Sequence, residues 1–312
     1  MIVVAIAIFA VALLVLIKAS KWVIDSSITI SEYTGISQLA IGFILVAFSV
    51  SAPDLTVSVL ATLAGMAPMA IGDALGSSIA NICLVLGVVT LARRVKVERI
   101  HTLESAELLL LISIIPAIIL SRGIVGPIEG VILLVVFVLY CFFVFKDKFT
   151  LCIKDGITRK EWRSALFFFF LGVALVIASA NFVVTSAAEI ATFAGISEAV
   201  IGLTLISFGT TLPELALDFT AIRKGQCALA VGDILGSTVV NLTLILGTIL
   251  LMSPAGGLVL VSYTIPLAFI IIANSFLFYS LVKHESINHK EGIIFILLYV
   301  IFLLVMITTK AL

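Results

Sequence analysis

The chain repeats one acidic segment, first as SVSAPD at residues 49–54 with GDALGSSIAN at 72–81, then as GTTLPE at 209–214 with GDILGSTVVN at 232–241. The two copies lie 160 residues apart. When residues 35–87 and 195–247 are laid over each other without a gap, 21 of 53 positions are identical. The repetition predicts two related halves that each bring one acid, Asp54 or Glu214, to a shared site.

The sequence around this segment is unusually apolar. The chain is 62% hydrophobic and 12% charged, whereas soluble domains carry about 25% charged residues. A hydrocarbon core about 30 Å thick needs apolar helices of about 20 residues. The sequence therefore predicts an all-α integral membrane protein with ten transmembrane helices, near residues 2–20, 38–62, 70–92, 103–120, 125–145, 163–184, 198–222, 228–252, 259–282 and 291–309.

Basic residues predict the orientation of these helices. The loops after helices 1, 3, 5, 7 and 9 hold 16 of the 18 Lys and Arg residues, including Lys18 and Lys21. Because cytoplasmic loops are enriched in Lys and Arg, those five loops are predicted to be cytoplasmic. The chain is then a multi-pass protein of the cell membrane with both termini extracellular.

Each half holds five helices, an odd number, so the second half enters the membrane inverted relative to the first. We expect a first repeat at 1–145 with its motif at 38–87, a cytoplasmic linker at 146–162, and a second repeat at 163–312 with its motif at 198–247. Inverted repeats of this kind place the transported substrate near the bilayer midplane, between broken helices.

Each acid follows a proline. Pro53 and Pro213 each lack a backbone N–H and clash with the carbonyl four residues before them, which frees carbonyl groups near residues 49–50 and 209–210. Unsatisfied carbonyls at membrane depth are tolerated only inside protein or along a wet cavity. A bound cation would satisfy both the carbonyls and the carboxylate, so the motif predicts a cation site.

Neutral oxygen donors recur beside the acids in both copies: Ser51, Ser77 and Asn81 in the first, and Thr211, Ser237 and Asn241 in the second. Residues four apart in a helix share a face, so each Ser–Asn pair forms a polar wall. A structural interpretation remains open, because membrane Ser and Thr often bond the preceding turn and Asn often joins helices. As ligands, these groups suit a hard cation such as Ca²⁺ or Na⁺.

Two ionised carboxylates match the charge of one Ca²⁺ or of two Na⁺, so the two ions can compete for one pocket. Competition at a site that opens alternately to each side is the basis of exchange.

A cation channel is a weaker interpretation, because one internally duplicated site in a single chain lacks the rings of ligands that filters use. No membrane-depth His accompanies the acids, which disfavours an enzyme. No Cys or His belongs to the two motifs, which disfavours a soft-metal site. The formal net charge is zero, so the overall charge does not indicate a nucleic-acid partner.

Three further acids are less certain from sequence. Asp73 and Asp233 are predicted at helix starts, where a carboxylate caps free N–H groups, with ion entry as the alternative. Asp218 lies one turn beyond Glu214, and its counterpart in the first copy is Ser58. An accessory cation or proton site and an ion pair with Arg223 are both open interpretations of Asp218.

At these residues the chain resembles the Ca²⁺/cation antiporter superfamily, particularly the prokaryotic sodium/calcium exchangers. That family carries two copies of G-[ST]-[ST]-x-P-[ED] followed by G-[ND]-x-x-G-S-x-x-x-[ND]. The resemblance covers nearly the whole length and both motifs at matched spacing. It implies a secondary antiporter that exchanges Na⁺ for Ca²⁺ by sliding helices 1 and 6 across an eight-helix core, without a cofactor and as a monomer in the lipid bilayer.

The resemblance also implies roles for individual residues. Asp54 and Glu214 would be acidic ligands shared by both ions, and Asn81 and Asn241 would line the centre. The remaining implied ligands are the backbone oxygens of Val50 and Thr210 for Ca²⁺, then Ala47, Ser51 and Ser77 for one Na⁺ site, and Ser207, Thr211 and Ser237 for the other.

Several positions depart from the family pattern. Asp54 replaces the usual Glu and is one methylene shorter, and Ser49 and Val50 replace Gly-Thr. Asn241 stands where the potassium-dependent branch carries Asp, which disfavours potassium dependence. The alternative of H⁺/Ca²⁺ or other divalent-cation exchange therefore stays open, because a membrane-buried carboxyl group can carry a proton and Mn²⁺ also suits oxygen ligands.

Overall fold

A computed structural model describes residues 2–63, 65, 67–96, 99–122, 124–147, 158–193, 207–253, 258–259, 263–284 and 286–309. Its α-helices are α1 (Ile2–Thr34), α2 (Gln38–Ile41), α3 (Ala47–Leu63), α4 (Ala67–Ile79), α5 (Leu86–Ala92), α6 (Arg99–Ser121), α7 (Pro127–Asp147), α8 (Arg159–Phe193), α9 (Ser207–Arg223), α10 (Cys227–Val239), α11 (Leu246–Leu251), α12 (Thr264–His284) and α13 (His289–Thr309). Three π-helical segments lie between them: π1 (Gly42–Val46), π2 (Ala80–Val85) and π3 (Val240–Ile245).

The helices repeat with the same offset as the sequence. The pairs α3 and α9, α4 and α10, and π2 and π3 each lie 160 residues apart and have equal lengths. The helices α7 and α13, both of 21 residues, are 162 apart. The counterpart of α2 and π1 falls at 198–206, outside the described residues. The duplication seen in sequence is therefore a duplication of structure.

Many of the described helices can cross a membrane by length and composition. Seven qualify, and a bent pair, Gln38–Ala52 with Asp54–Leu63, makes an eighth. The apolar part of α6 is the shorter segment Ala106–Ser121, and α9 has 17 residues that include two acids and Arg223. The prediction of a multi-helix membrane protein is confirmed at this level.

The first helix is longer than the sequence predicts. Lys18 and Lys21 were expected in a loop, but they lie inside α1, which continues to Thr34. No Pro or Gly interrupts residues 2–34, and the helix ends at Gly35, whose φ of 72° is a left-handed conformation that favours glycine. Lys18 stays in the helix with its Nζ 5.7 Å from the Trp22 ring.

The second long helix, α8, packs along α1 over much of its length. It starts with a capping box, in which Thr158 N donates to Glu161 Oε2 at 2.7 Å and Glu161 N donates to Thr158 Oγ1 at 3.3 Å. Gly172 permits close approach, because a Cβ there would lie 2.8 Å from a Val23 methyl group. The two helices form one unit beside the repeated motifs.

The predicted break at Pro53 is present. The segments Gln38–Ala52 and Asp54–Leu63 meet at an angle of 45° with Pro53 between them. Pro213 lies inside α9, which runs without interruption from Ser207 to Arg223. The bend follows from the missing N–H and the ring clash of proline.

Two short sheets connect the repeats. Strand β1 (Val95–Lys96) pairs antiparallel with β4 (Ser286–Ile287), and β2 (Ile124–Val125) pairs antiparallel with β3 (Leu258–Val259). Strands β1 and β3 follow the equivalent helices α5 and α11, whereas β2 and β4 precede the equivalent helices α7 and α13. Each strand therefore pairs with the non-equivalent strand of the other repeat, as a two-fold relation between the halves requires.

The centre of the molecule is α10, of which every residue from Leu229 to Val239 is buried. Its glycines let π1 and α2 approach its backbone. A Cβ on Gly232 would lie 2.4 Å from the Leu39 carbonyl oxygen, and one on Gly236 would lie 2.6 Å from that of Phe43. Small residues thus bring the segment before α3 directly against α10.

Replacing Gly236 with alanine is expected to lower the melting temperature in detergent. The new Cβ would meet backbone atoms of Phe43 at 2.6 and 2.8 Å, and these cannot rotate away, so overpacking should cost about 1–3 kcal/mol. Gly76→Ala, at the equivalent position of the first repeat, is the control, since an added Cβ there would meet nothing within 4 Å. A Gly236→Ala midpoint equal to that of the wild type would contradict this packing.

Candidate functional site

The helices that carry the two motifs contact one another. Helix α3 packs on α4, α10 and π3, and α9 packs on α3, α4, α10 and π2. The acidic helix of each repeat therefore touches the amide-bearing segment of the other. This crossing brings residues that are 160 apart in sequence to one place.

The two motif acids lie close together in this crossing. Glu214 is 3% exposed, Asp54 is half-buried, and the two carboxyl groups are near enough to repel one another. Among the described residues neither forms an ion pair with Lys or Arg. Two acids without a basic partner in a membrane protein mark a candidate functional site, where a bound cation or a proton would neutralise them.

Buried oxygen atoms without partners surround the acids. Four predicted site residues have a buried side-chain oxygen that lacks a hydrogen-bond partner in the described part of the chain: Ser51 (Oγ), Asn81 (Oδ1), Glu214 (Oε2) and Asn241 (Oδ1). Leaving one such group unsatisfied costs about 1–3 kcal/mol. Both repeats contribute to this set, and each of the four atoms is free to accept a hydrogen bond or to bind a cation.

The two asparagines lie in π-helical segments. Asn81 and Asn241 are each the second residue of their segment, π2 or π3. Single-turn π-helical segments inside α-helices are frequent at functional sites. The sequence analysis found the asparagines but missed the π-helical turns, for which the hydropathy pattern carries no signal.

Most other predicted site residues are also buried. Those with described side chains are Ala47, Val50, Ser51 and Ser77 in the first repeat, and Thr211 and Ser237 in the second. Thr210 and Ser207 belong to α9, but their side chains fall outside the described part. Ala47 lies against α10, since a Cβ on Gly236 would be 2.9 Å from the Ala47 Cβ.

The prediction for Asp73 and Asp233 is wrong. Helices α4 and α10 begin at Ala67 and Cys227, six residues earlier, so neither acid is at a helix start. The apolar residues before each acid continue the helix toward its N-terminus. Asp233 is 1% exposed, and Asp73 is half-buried.

The ion pair considered for Asp218 is also absent. Asp218 is 1% exposed, whereas Arg223 is exposed and lies 5.8 Å above the Phe219 ring. Asp218 on α9 and Asp233 on α10 are both buried, and the two helices pack against each other. Sequence reasoning did not predict the burial of both acids in the second repeat.

The chemistry of the set is that of a hard-cation site. Within the described residues no group of three or more His, Cys, Asp and Glu side chains is arranged to hold a metal. The available donors are two carboxylates and several neutral oxygens, which suit Na⁺ and Ca²⁺ rather than soft metals. Because the other donors are neutral, the negative charge of the site comes from the two carboxylates and balances one divalent cation.

Comparison with known proteins agrees with this chemistry. The family model for sodium/calcium exchanger protein matches residues 4–146 and 164–308. The inner membrane protein YrbG of Escherichia coli (strain K12) is 34% identical over 253 residues, which are 78% of each chain. The sodium/calcium exchanger MaX1 of Methanosarcina acetivorans is 27% identical over 344 residues, covering 96% of this chain and 97% of MaX1.

A solved structure matches over the same length. The sodium-calcium exchanger NCX_Mj, soaked with 10 mM Na⁺ and zero Ca²⁺, superposes with a TM-score of 0.84 at 26% sequence identity, covering 96% of this chain and 98% of that one. The resemblance drawn from the two motifs is confirmed by a family model that spans both halves. The chain belongs to the sodium/calcium exchanger family of membrane transport proteins.

Proposed function

We propose that this chain is a secondary antiporter that exchanges Na⁺ for Ca²⁺ across the membrane at one central site. The observation that carries the proposal is the set of buried oxygens without partners around Glu214, contributed by Ser51, Asn81 and Asn241 as well. Leaving such a set without partners costs free energy, and a bound cation would supply the missing partners. Charge balance allows one Ca²⁺ or two Na⁺ beside two carboxylates.

Family membership supports transport as the activity, and the prediction that the chain is not an enzyme is confirmed. Among its relatives, MaX1 and NCX_Mj are named as sodium/calcium exchangers. Exchange of H⁺ for Ca²⁺ is the alternative from sequence, and no contact in the described residues favours it over Na⁺. Ca²⁺ and Na⁺ act here as transported ions, with no cofactor proposed.

In the proposed site, Asp54 and Glu214 are the acidic ligands of both ions. The backbone oxygens of Val50 and Thr210 complete the Ca²⁺ site, and Asn81 and Asn241 line its centre. The flanking Na⁺ sites take Ala47, Ser51 and Ser77 on one side, and Ser207, Thr211 and Ser237 on the other. Burial of the described members supports this assignment.

We also propose the finer topology of ten transmembrane helices in two inverted repeats, at 1–145 and 163–312, joined by a cytoplasmic linker at 146–162. The strand pairs support it. Exchanging the two repeats replaces β1 by β3 and β4 by β2, so the β1–β4 pair becomes the β2–β3 pair. An axis in the membrane plane would place these two sheets on opposite sides. One chain supplies both motifs, which supports a functional monomer.

Contacts between residues near the ends of the predicted spans support the proposed orientation, with both termini extracellular. On the side proposed as cytoplasmic, Arg94 donates to Ser286 Oγ at 2.7 Å, and Lys224 forms an ion pair with Asp25. On the other side, the Tyr263 hydroxyl donates to the Pro68 carbonyl at 2.8 Å. Every one of these contacts joins segments that the basic-residue pattern assigns to the same side.

Alternating access would then come from sliding of the α1–α8 unit across the motif helices. Both helices contact α9, and exposed apolar side chains such as Leu14 on α1 and Phe167 on α8 suit a lipid environment. Movement of this unit would open the central site to one side while closing the other.

Ca²⁺ uptake into Na⁺-loaded proteoliposomes, diluted into Na⁺-free buffer at clamped pH, tests the function. We expect uptake that requires internal Na⁺. Uptake driven only by an imposed pH gradient would replace the proposal with proton-coupled exchange. Failure under both gradients would remove Ca²⁺ as the substrate.

Replacing Glu214 with Gln is expected to abolish Na⁺-driven Ca²⁺ uptake, because the amide removes one of two ligand charges without changing shape. The control is Glu107→Gln, an exposed position on α6, which should retain wild-type flux. Near-normal flux in Glu214→Gln would exclude Glu214 from the site. Protein amounts in the vesicles must be matched by quantitative blotting.

Replacing Asn241 with Asp is expected to change the Na⁺ or K⁺ dependence of Ca²⁺ uptake. The side chain has an unpartnered, buried Oδ1, so the variant adds a charge where the cation would lie and should require more monovalent charge per Ca²⁺. The measurement is the Hill coefficient for Na⁺ and its response to K⁺. Unchanged dependence on both ions would make Asn241 a bystander.

Labelling of single cysteines tests the orientation. In a cysteine-free background, Arg122→Cys is expected to react with a membrane-impermeant maleimide in intact cells. Arg223→Cys, on an exposed helix end, should react only after the cells are permeabilised. The opposite pattern would invert the proposed topology.

A further inference from the structure

Each repeat carries its motif on two helices joined by a short turn, the first hairpin (α3 and α4) and the second hairpin (α9 and α10). In the second hairpin, Asp218 lies five residues before the end of α9, and Asp233 lies six residues after the start of α10. At 1.5 Å per residue, both acids are about 8–9 Å from the connecting turn. Glu214 and Ser237, each four residues further from the turn, lie about one helical turn deeper. The two acids therefore lie between the turn and the proposed cation site.

The first hairpin has the same spacing but a different side chain on its first helix. Ser58 lies five residues before the end of α3, and Asp73 lies six residues after the start of α4. Ser58 therefore occupies the place that Asp218 has in the second hairpin. Inversion of the repeats, as proposed above, puts the turns of the two hairpins on opposite sides of the membrane. The site then has two approaches, one along each hairpin, which differ in having Ser58 or Asp218.

The two approaches also differ in exposure. In the first hairpin Asp54 and Asp73 are half-buried, and a partly exposed carboxyl group at membrane depth faces water rather than lipid. In the second hairpin Glu214, Asp218 and Asp233 are 3%, 1% and 1% exposed. This difference indicates that the structure is open to water along the first hairpin and closed along the second. Opening of the second approach would expose Asp218.

Asp218 has no partner in the described part of the chain. Its Oδ2 atom is buried without a hydrogen-bond partner, and the residue forms no ion pair there with Lys or Arg. A buried carboxyl group without a partner is costly, and at membrane depth it marks a functional position. A cation on its way to the central site would supply the missing partner.

The turn of the second hairpin lies beside three basic residues. Arg223 ends α9, and Lys224 follows it. The guanidinium group of Arg93 lies beside Gly225, since a Cβ on this glycine would be 3.4 Å from Arg93 Nη1. By contrast, residues 55–71 of the first hairpin contain no Lys or Arg. A cation that approaches along the second hairpin is repelled by these basic residues, and an acid deeper in the same path offsets the repulsion.

We propose that Asp218 is an entrance ligand, which binds Ca²⁺ on its way along the second hairpin and passes it to Asp54 and Glu214. The proposal rests on the proposed exchange and deepens it, because it adds a binding step to one approach only. Glu214 and Asp218 are four residues apart on α9, so their side chains share a face of the helix. One ion occupies the two positions in succession. The other approach has no basic turn to offset, and there Ser58 takes the place of the acid.

Uptake of Ca²⁺ into Na⁺-loaded membrane vesicles of known sidedness tests the proposal. Labelling of Arg223→Cys identifies the vesicles, inside-out or right-side-out, that present the Arg223 face to added Ca²⁺. From that face, Asp218→Asn and Asp218→Ser should each lower the initial rate at low Ca²⁺ about tenfold, the lower end of the effect of a charged cleft on association. The rate at saturating Ca²⁺ should stay within about twofold of wild type. Uptake from the opposite face should not change.

Two further variants make the test specific. Glu161→Gln removes a negative charge at the exposed start of α8, where Gln can still serve the capping box, and uptake from either face should not change. Ser58→Asp combined with Asp218→Ser exchanges the two side chains, so the faster uptake at low Ca²⁺ should move to the opposite face. The single variants decide the test if the exchanged chain is not inserted into the membrane.

Three results would overturn the proposal. Equal losses of uptake from the two faces, or an equal loss at low and at saturating Ca²⁺, would mean that Asp218 supports the fold or the central site. Unchanged uptake at low Ca²⁺ from the Arg223 face would mean that no cation binds Asp218 in transit. A wild-type chain without Na⁺-driven Ca²⁺ uptake would instead refute the proposed function, so the two failures are distinguished by which protein shows them.

Discussion

The structure depends on the cost of keeping two carboxylates inside a membrane. Asp54 and Glu214 approach each other at the crossing of the motif helices, and within the described residues no Lys or Arg neutralises them. An empty site would therefore carry uncompensated charge across a region of low dielectric constant. In the proposed exchange, a bound cation would remove this charge, so that a loaded site could change its access to the two sides of the membrane at lower cost than an empty one.

Duplication of the motif supplies the two acids and the oxygen donors beside them. Two copies of one helix pair carry matching oxygen donors, and the π-helical turns at Asn81 and Asn241 occur at equivalent positions. The two copies differ at acidic positions in and beside the proposed site. Asp54 is shorter than Glu214, and Ser58 replaces Asp218. Two similar helix pairs with different side chains can form one pocket that holds ions of different charge.

Sequence reasoning predicted the helical membrane fold and the bend at Pro53, because both follow from local chemistry: apolar length and a missing N–H. The predicted end of α1 was wrong. Hydropathy identifies the apolar part of a helix, whereas residues 21–34 continue α1 beyond its apolar part. The helix starts predicted near 70 and 228 lie within three residues of the observed starts of α4 and α10, but Asp73 and Asp233 were wrongly taken as caps, because a polar residue inside an apolar helix resembles a helix start. The burial of Asp218 could not be predicted, because it depends on how α9 packs against α10.

In the proposed exchanger one cation site is shared by both repeats and by both ions. Equilibrium binding of radioactive Ca²⁺ to the purified protein, with and without Na⁺, tests whether the site is shared. We expect one Ca²⁺ per chain in Na⁺-free buffer, displaced competitively by Na⁺ and lost when either Asp54 or Glu214 is neutralised. Ca²⁺ binding that survives saturating Na⁺, or that survives neutralisation of both acids, would contradict it.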